Sequence, residues 1–235
     1  MTTKGIDYFN RNHPLTNLQI QASLTIRRQM YEWLRQQMGG VAGKSFLEHG
    51  ATPDTERADS NCFIRWLLAD GACVYATSPE DISHLETHFP HLTVIDWQHD
   101  HEIPQKFAID CVISSAVLEH VGNQASQQSY LQNLFIAYPR IFLTTPNRHH
   151  WLEFHTKLPV LHWLPRPWHR WLLARLGMKF WSQEENLRLL HHQEILSLIQ
   201  NTATQAKVRI EQHWYYPKFL GMVSNHVVLI EKYRT

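Results

Sequence analysis

FAIDCVISSAVLEHVG (residues 107–122) and RIFLTTPN (residues 140–147) decide how this chain folds. Each carries a short apolar run that stops at paired hydroxyl residues, Ser114-Ser115 in the first and Thr144-Thr145 in the second. Apolar runs of this length read as strands covered on both faces, the condition of strands in a parallel sheet. The intervening Gln124 to Ile136 reads as a helix, so the strands Ala108 to Ser114 and Arg140 to Thr144 are joined by a crossover and lie parallel. In an open parallel sheet, ligands sit outside the carboxyl ends of the strands. That rule puts Ser114, Ser115, Thr144 and Thr145 where a cofactor or substrate would lie.

The same alternation extends toward the amino terminus. Pro14 to Met38 carries Leu18, Ile20, Leu24, Ile26, Met30 and Leu34 as a helical stripe, ended by Gly39, Gly40 and Gly43. A first strand, Ser45 to Glu48, turns at His49-Gly50, and a helix over Ser60 to Leu68 takes Asp59 or Ser60 as its cap. A second strand, Ala72 to Ala76, stops at Thr77-Ser78-Pro79. Pro79 with Glu80 and Asp81 then suits the first turn of a helix reaching His88. A third strand spans Leu92 to Asp96. Strands alternating with helices in this way predict an α/β fold with a doubly wound, mostly parallel sheet.

Beyond Asn147 the pattern changes. Residues 148–182 gather Trp151, Trp163, Trp168, Trp171 and Trp181 with many His, Arg and Pro, and read as an inserted aromatic and basic lid, bounded at 148–191. A helix over His192 to Thr202 and strands at Lys207 to Trp214 and Asn225 to Lys232 follow. A tight Pro217 to Gly221 segment joins those strands, so they form an antiparallel pair. The expectation is a single domain over 1–235 with a helical lead-in over 1–43.

Composition narrows the classes without choosing among them. The chain has 235 residues, 43% of them hydrophobic, and a net charge of +1, so no general field draws it to nucleic acid or to anionic membrane. Cys62, Cys73 and Cys111 form no Cys-x-x-Cys pair and read as reduced thiols, the usage of a cytoplasmic protein. No apolar stretch reaches the roughly 18 residues of a spanning helix. G-x-G-x-x-G is absent, which argues against a dinucleotide oxidoreductase, and Ser114-Ser115 lacks the flanking glycines of a G-x-S-x-G hydrolase.

FLEHGATPD (46–54) is strand, acid, glycine and turn. Gly50 lets the backbone approach a ligand, and the helix that follows offers free N–H groups. The ordered set FLEHGATPD, VYATSPED, FAIDCVISSAVLEHVG and IFLTTPN resembles the class I S-adenosylmethionine-dependent methyltransferases, in particular the small-molecule group called type 11. The resemblance implies a Rossmann-like sheet of seven strands closed by the antiparallel pair, and S-adenosyl-L-methionine as methyl donor. By the same resemblance Glu48, Gly50, Ala51 and Thr52 hold the methionine moiety. The ribose acid is Glu80 or Asp81, beyond the strand tip at Thr77-Ser78. Gln98, His99 or Asp100 lies near adenine, and Ser114, Ser115 and Ala116 edge the donor. Two departures stand out: the family's second glycine is replaced in the run Ala51-Thr52-Pro53, and the acid after the second strand comes two or three residues late. They keep open the alternative of a non-catalytic binding protein that retained the fold and lost the donor.

Methyl transfer from a sulfonium is an in-line displacement governed by alignment, with a base needed only if the acceptor loses a proton. His120 and His155 are the candidate bases, His120 with a competing role in packing under the cofactor and His155 with one inside its turn. The 17 histidines do not fall into H-E-x-x-H spacing, so His99 to Glu102 and His149 to His155 read as solvated or lid-forming and no metal is expected. Residues 164–181 join Trp168, Trp171, Leu172, Leu176, Phe180 and Trp181 with Arg166, Arg170, Arg175 and Lys179. That composition suits either a lid packed on the core or a helix lying in a membrane interface. The second option favours a lipid-like acceptor over another small molecule; nucleic acid is not an expected partner.

Overall fold

The central sheet has the strand order β3-β2-β1-β4-β5-β9-β6. Its members are β1 (Ser45–His49), β2 (Cys73–Thr77), β3 (Leu92–Val94), β4 (Cys111–Ser115), β5 (Arg140–Pro146), β6 (Ile210–Tyr215) and β9 (Asn225–Lys232); a separate hairpin holds β7 (Lys218–Phe219) and β8 (Met222–Val223). A computed structural model of the chain describes residues 16–233, without the side chains of 16–18, 100 and 101. Residues 1–15 of the expected lead-in lie outside this description. The doubly wound order and the antiparallel closing strands are those predicted. The backbone groups into two compact units, one comprising the described residues to Ser114 with Tyr138–Phe142, the other Ser115–Ala137 with the chain from Leu143 onward.

In the first unit β1 is the middle strand, parallel to β2 on one side and β4 on the other. The register sets His49 against Thr77 and Glu48 against Ile113, so three strand tips end together. The apolar side chains Phe46, Leu47, Val112 and Ile113 are fully buried, each worth roughly 1.5–3 kcal/mol of transfer free energy. Helix α1 (Thr16–Gln37) covers one side with Ile26, Met30 and Leu34, whose i, i+4, i+8 spacing puts them on one face, and with the adjoining Tyr31. Tyr31 donates its hydroxyl to Asp70 at 2.7 Å and packs edge-on against Phe63 of α2 (Cys62–Ala69).

Two predicted helices of this unit are shorter than expected, for the same reason. The helix predicted from Glu80 begins only at Leu85 and forms α3 (Leu85–His88). Ser78 Oγ accepts the Glu80 N–H and Asp81 accepts both the N–H and the hydroxyl of Ser83, and such local bonds compete with the helical ladder. The helix predicted from Ser60 begins at Cys62 behind Asn61, which sits at φ 51°. Neither Asp59 nor Ser60 caps it: Asp59 pairs with Arg57, and Ser60 donates to Asp54. A short helical turn over Trp97–Glu102 and α4 (Ile103–Lys106) lead into β4, which starts at Cys111 rather than Ala108.

The second unit is built on α5 (Gln124–Ala137) packed against α7 (His192–Gln205), with β6 and β9 paired antiparallel from Ile210 opposite Lys232 to Tyr215 opposite Val227. Helix α7 opens with the His191 N–H donating to Glu194. It closes with Lys207 at φ 55°, the Lys207 and Val208 N–H groups returning to Thr204 and Ala203. That wrapped terminus uses the residues expected to open a strand, so β6 starts at Ile210. The Pro217 to Gly221 link contains the β7-β8 turn. Between β5 and α7 the chain forms a helical turn over Leu161–Trp163 and α6 (Arg166–Arg175).

Candidate functional site

At the tip of β1 the chain turns through Gly50 at φ 96°, a conformation that a Cβ strains. The N–H groups of Gly50 and Ala51 both donate to the Thr77 carbonyl, at 2.9 and 3.2 Å, which ties the tips of β1 and β2 together. The following turn is held by Asn61, a residue the sequence reading passed over. Its side chain accepts the Thr52 N–H at 3.0 Å and donates to the carbonyls of Thr52 and Asp54, at 2.8 and 3.2 Å. His84, beyond β2, meets the Pro53 carbonyl at 2.8 Å from the other side. Residues 50–54 are therefore braced by bonds from three segments distant in sequence.

Glu48 and Thr77 line up beside this turn, both buried, with Glu48 Oε2 and Thr77 Oγ1 making no hydrogen bond. Burial pushes the Glu48 carboxyl up to about 8, and the Arg27 guanidinium pulls weakly against that rise. A buried acid without its full complement of donors is costly unless a ligand supplies them. Ser78 is buried beside Thr77. Asp81 is exposed, and its bonds to Ser83 hold it below the ordinary carboxylate range, so its oxygens serve its own turn. Glu80 is half-buried.

After β3, Gln98 and His99 are exposed, His99 reaching Glu102 at 3.3 Å; the Asp100 side chain lies outside the described residues. Trp97, also unread in the sequence, sets its ring edge-on to the buried His49 at 5.1 Å and is 38% exposed. An aromatic face at the β1 and β3 tips is a surface on which a base stacks. Ser114, at the end of β4, is fully buried.

In the second unit, Ser115 Oγ lies 3.2 Å from Thr144 Oγ1, and Ala116 donates its N–H to the Thr144 carbonyl at 3.0 Å. Ala116 does so at φ 58°, a left-handed conformation costing an alanine roughly 1–2 kcal/mol. The two candidate bases, 35 residues apart, face one another: His120 Nε2 is 3.1 Å from His155 Nε2. His120 Nδ1 is 2.8 Å from the Asn186 carbonyl, and His155 Nδ1 is 2.5 Å from Glu153. Burial, with His155 adding to it, pushes His120 down to about 3. Burial alone would raise Glu153, but the charge of His155 and hydrogen bonds from His155 and Thr156 hold it at about 2. Trp181 packs on both imidazoles, at 6.1 and 5.2 Å. The clues lay in LEH and EFH, where each histidine follows an acid closely, but nothing local said that the two segments meet.

A groove of about 750 Å³ lined by Glu32, Arg35, Gly39, Gly40 and Asp70 lies at the opposite, amino-terminal side of β1, away from these strand tips. Its acids are already paired, Glu32 with Arg28 and Arg35, and Asp70 with Tyr31.

No family model and no curated protein matches the sequence. The fold does match solved structures. A magnesium protoporphyrin IX methyltransferase from Synechocystis, with bound SAH, is similar over 96% of this chain and 91% of its own, at 12% identity and a TM-score of 0.59. The methyltransferase domain of bacterial CtHen1 is similar over 89% of this chain and 99% of its own, at 8% identity and a TM-score of 0.54. A TehB-like SAM-dependent methyltransferase from Corynebacterium glutamicum covers 87% and 88%, at 12% identity and a TM-score of 0.51. At these identities the likeness is one of fold.

Proposed function

We propose that this protein is a methyltransferase that uses S-adenosyl-L-methionine, with the donor at the tips of β1, β2 and β3. The observation that carries the reading is the sheet itself. Its order, with an antiparallel closing strand, is the architecture of S-adenosylmethionine-dependent methyltransferases matched over nearly the whole chain. Two features of the residues support the fit. Glu48 Oε2 and Thr77 Oγ1 are buried acceptors without donors, the complement of an ammonium and of ribose hydroxyls. Gly50 leaves the turn without a side chain where the donor's carboxylate end must approach.

When bound, the donor supplies a methyl group on a sulfonium. The chain's task is then alignment: Glu48 receives the donor's ammonium, Thr77 and Ser78 stand in for the missing ribose acid, and Trp97 offers a stacking face to adenine. Gln98 and His99 follow Trp97 in the chain, and Glu80, half-buried, is a candidate acid beyond the β2 tip. Ser115 and Ala116, tied to Thr144, shape the end of β4. Within the second unit His155 is oriented by Glu153, the arrangement of a base for an acceptor that must lose a proton. His120 is neutral at pH 7 and orients His155 through its Nε2.

The acceptor we assign is a small, lipid-like molecule. In α6 and the turns beside it, Trp168 is 66% exposed, Trp171 54% and Leu176 52%, while Leu173 is buried. Arg175 lies 5.0 Å over the Trp171 ring. Exposed tryptophans with a cation beside them suit a bilayer interface. Among the described residues no helix is long and apolar enough to cross a membrane. One observation favours the alternative of a binding protein without the donor: the Gly50 and Ala51 N–H groups are spent on Thr77 rather than offered to a ligand.

Titration calorimetry with S-adenosylmethionine and with its demethylated product separates the two readings. Saturable binding of either at one site per chain supports the methyltransferase. Absence of heat and of any thermal shift with both removes it.

A further inference from the structure

Four histidines from three segments gather in the second unit: His149 after β5, His191 and His192 at the start of α7, and His226 in β9. The His149 and His191 rings stack at 5.3 Å with an interplanar angle of 9°, and the His192 and His226 rings meet at 5.6 Å. Trp214 of β6 and Tyr216, two residues on, share the sheet face that carries His226, because Trp214 pairs with Val228. Their rings lie parallel within 6°, centroids 6.1 Å apart, and His192 is edge-on to both, at 4.8 and 5.6 Å. His149 is exposed and Tyr216 is 39% exposed, whereas His226 is only 5% exposed, so the group runs from the surface to the interior.

His226 makes no hydrogen bond at either ring nitrogen, and His192 makes none at Nδ1. A neutral imidazole carries one N–H and one lone pair, and leaving both unmet in the interior is costly. Taking up a proton does not relieve it. Burial pushes His226 down to about 4, and His192, His149 and His191 add to the fall. The fixed charge beside the group is positive as well. Arg148, half-buried, donates to the carbonyls of His162 and Leu164, at 3.2 and 2.9 Å, and among the described residues it pairs with no carboxylate. The acid facing the histidines, Glu194, lies 3.6 Å from the His191 ring but is held by Arg166 at 2.5 Å and by the His191 N–H at 3.0 Å. Imidazoles that oppose one another's protons, next to a guanidinium without a counter-ion, call for an anion. Among the described residues no three of these imidazoles bring ligand nitrogens close enough to share a metal ion.

We infer that His149, His191, His192 and His226, with Arg148 beside them, form a binding site for an oxyanion, a carboxylate or a phosphate, carried on a flat ring that rests on Tyr216 beside Trp214. An oxygen of the anion accepts the N–H of His226, and its charge offsets the repulsion that keeps the imidazoles neutral, so binding draws in protons. A ring sandwiched between two others needs roughly 7–8 Å, twice a carbon contact distance. At 6.1 Å Trp214 and Tyr216 are too close for that, and the ligand ring stacks on the exposed side of Tyr216. The site belongs to one compact unit and does not depend on the methyl donor.

The test uses the full chain without donor, its histidines labelled with 15N, titrated with benzoate, phenyl phosphate, acetate and the neutral isostere benzamide in low-chloride buffer. The His226 signal is assigned by its loss in His226→Asn. One equivalent of benzoate or phenyl phosphate should bind saturably, at least tenfold tighter than benzamide, and make His226 titrate at a higher pH. Benzoate affinity should rise several-fold as pH falls from 8 to 6, because the bound chain holds protons that the free chain lacks, while benzamide affinity stays level. His226→Asn should weaken the preferred anion about 10- to 150-fold, the worth of one charge-assisted hydrogen bond. Circular dichroism establishes that the variant is folded; if it is not, His149→Ala, at an exposed position, carries the comparison with a several-fold loss. Tighter benzoate identifies the anion as a carboxylate, and tighter phenyl phosphate as a phosphate. Benzamide or acetate binding as well as benzoate, or an affinity unchanged in both variants, overturns the assignment. So does the absence of saturable binding by either anion, which would leave water as the partner of His226. Because no donor is present, these results stand whether or not S-adenosylmethionine binds.

Discussion

Glu48 offers the sharpest test of the donor site, because its proton is displaced if the site is used as proposed. The free carboxyl titrates near 8, so at pH 7 it is about nine-tenths protonated. An ammonium docked on Glu48 restores the charged form and returns the carboxyl toward its ordinary 4.5, where it is almost fully ionised. Donor binding at pH 7 therefore releases ~0.9 proton from this residue. Calorimetry in buffers of different ionisation enthalpy reads that number as a slope. Affinity should rise about tenfold per pH unit between pH 5 and 7.5, then flatten above 8. In Glu48→Gln the amide cannot release a proton, so the Glu48 share of the slope disappears. The affinity of that variant falls roughly 10- to 150-fold, the worth of one charge-assisted hydrogen bond at about 1.5–3 kcal/mol. Equal slopes in wild type and variant would refute the placement of the donor against Glu48, even if the donor binds.

The same acid makes stability pH-dependent with a definite sign. Its folded value is above its unfolded one, so the folded chain holds a proton that the unfolded chain has lost; this contribution is complete below pH 4.5 and disappears as pH rises through 8. Glu48→Gln should thus match wild type in urea unfolding at pH 4 and exceed it by about 3 kcal/mol at pH 7; a variant less stable than wild type at pH 7 would contradict the burial argument. Gly50→Val puts a branched side chain at φ 96°, and we expect about 1–3 kcal/mol of destabilisation with loss of donor binding beyond a hundredfold. Retained affinity in equilibrium dialysis would mean that the donor lies elsewhere. Trp168→Ala with Trp171→Ala should lower co-sedimentation with anionic vesicles several-fold without changing the thermal midpoint, since both rings are exposed. Unchanged partitioning would remove the membrane contact from the proposed function.

What the sequence determined by itself was the order of the elements and the class of the sheet. Apolar runs such as CVISS and RIFLT bury both faces, and that demand is local, so their register within the chain, the crossovers between them and the antiparallel close were legible. Helix starts were less legible, because Ser78, Asp81 and Asn61 had a choice of local partners that composition does not rank. The sequence also placed Glu48 and Gly50 at a strand tip. Only the tertiary structure left Glu48 without enough donors, braced the Gly50 turn from Asn61 and His84, and brought His120 against His155. Those facts depend on contacts between segments far apart in the chain. Hydrophobic periodicity records which face of an element is buried, not which polar groups meet once it is.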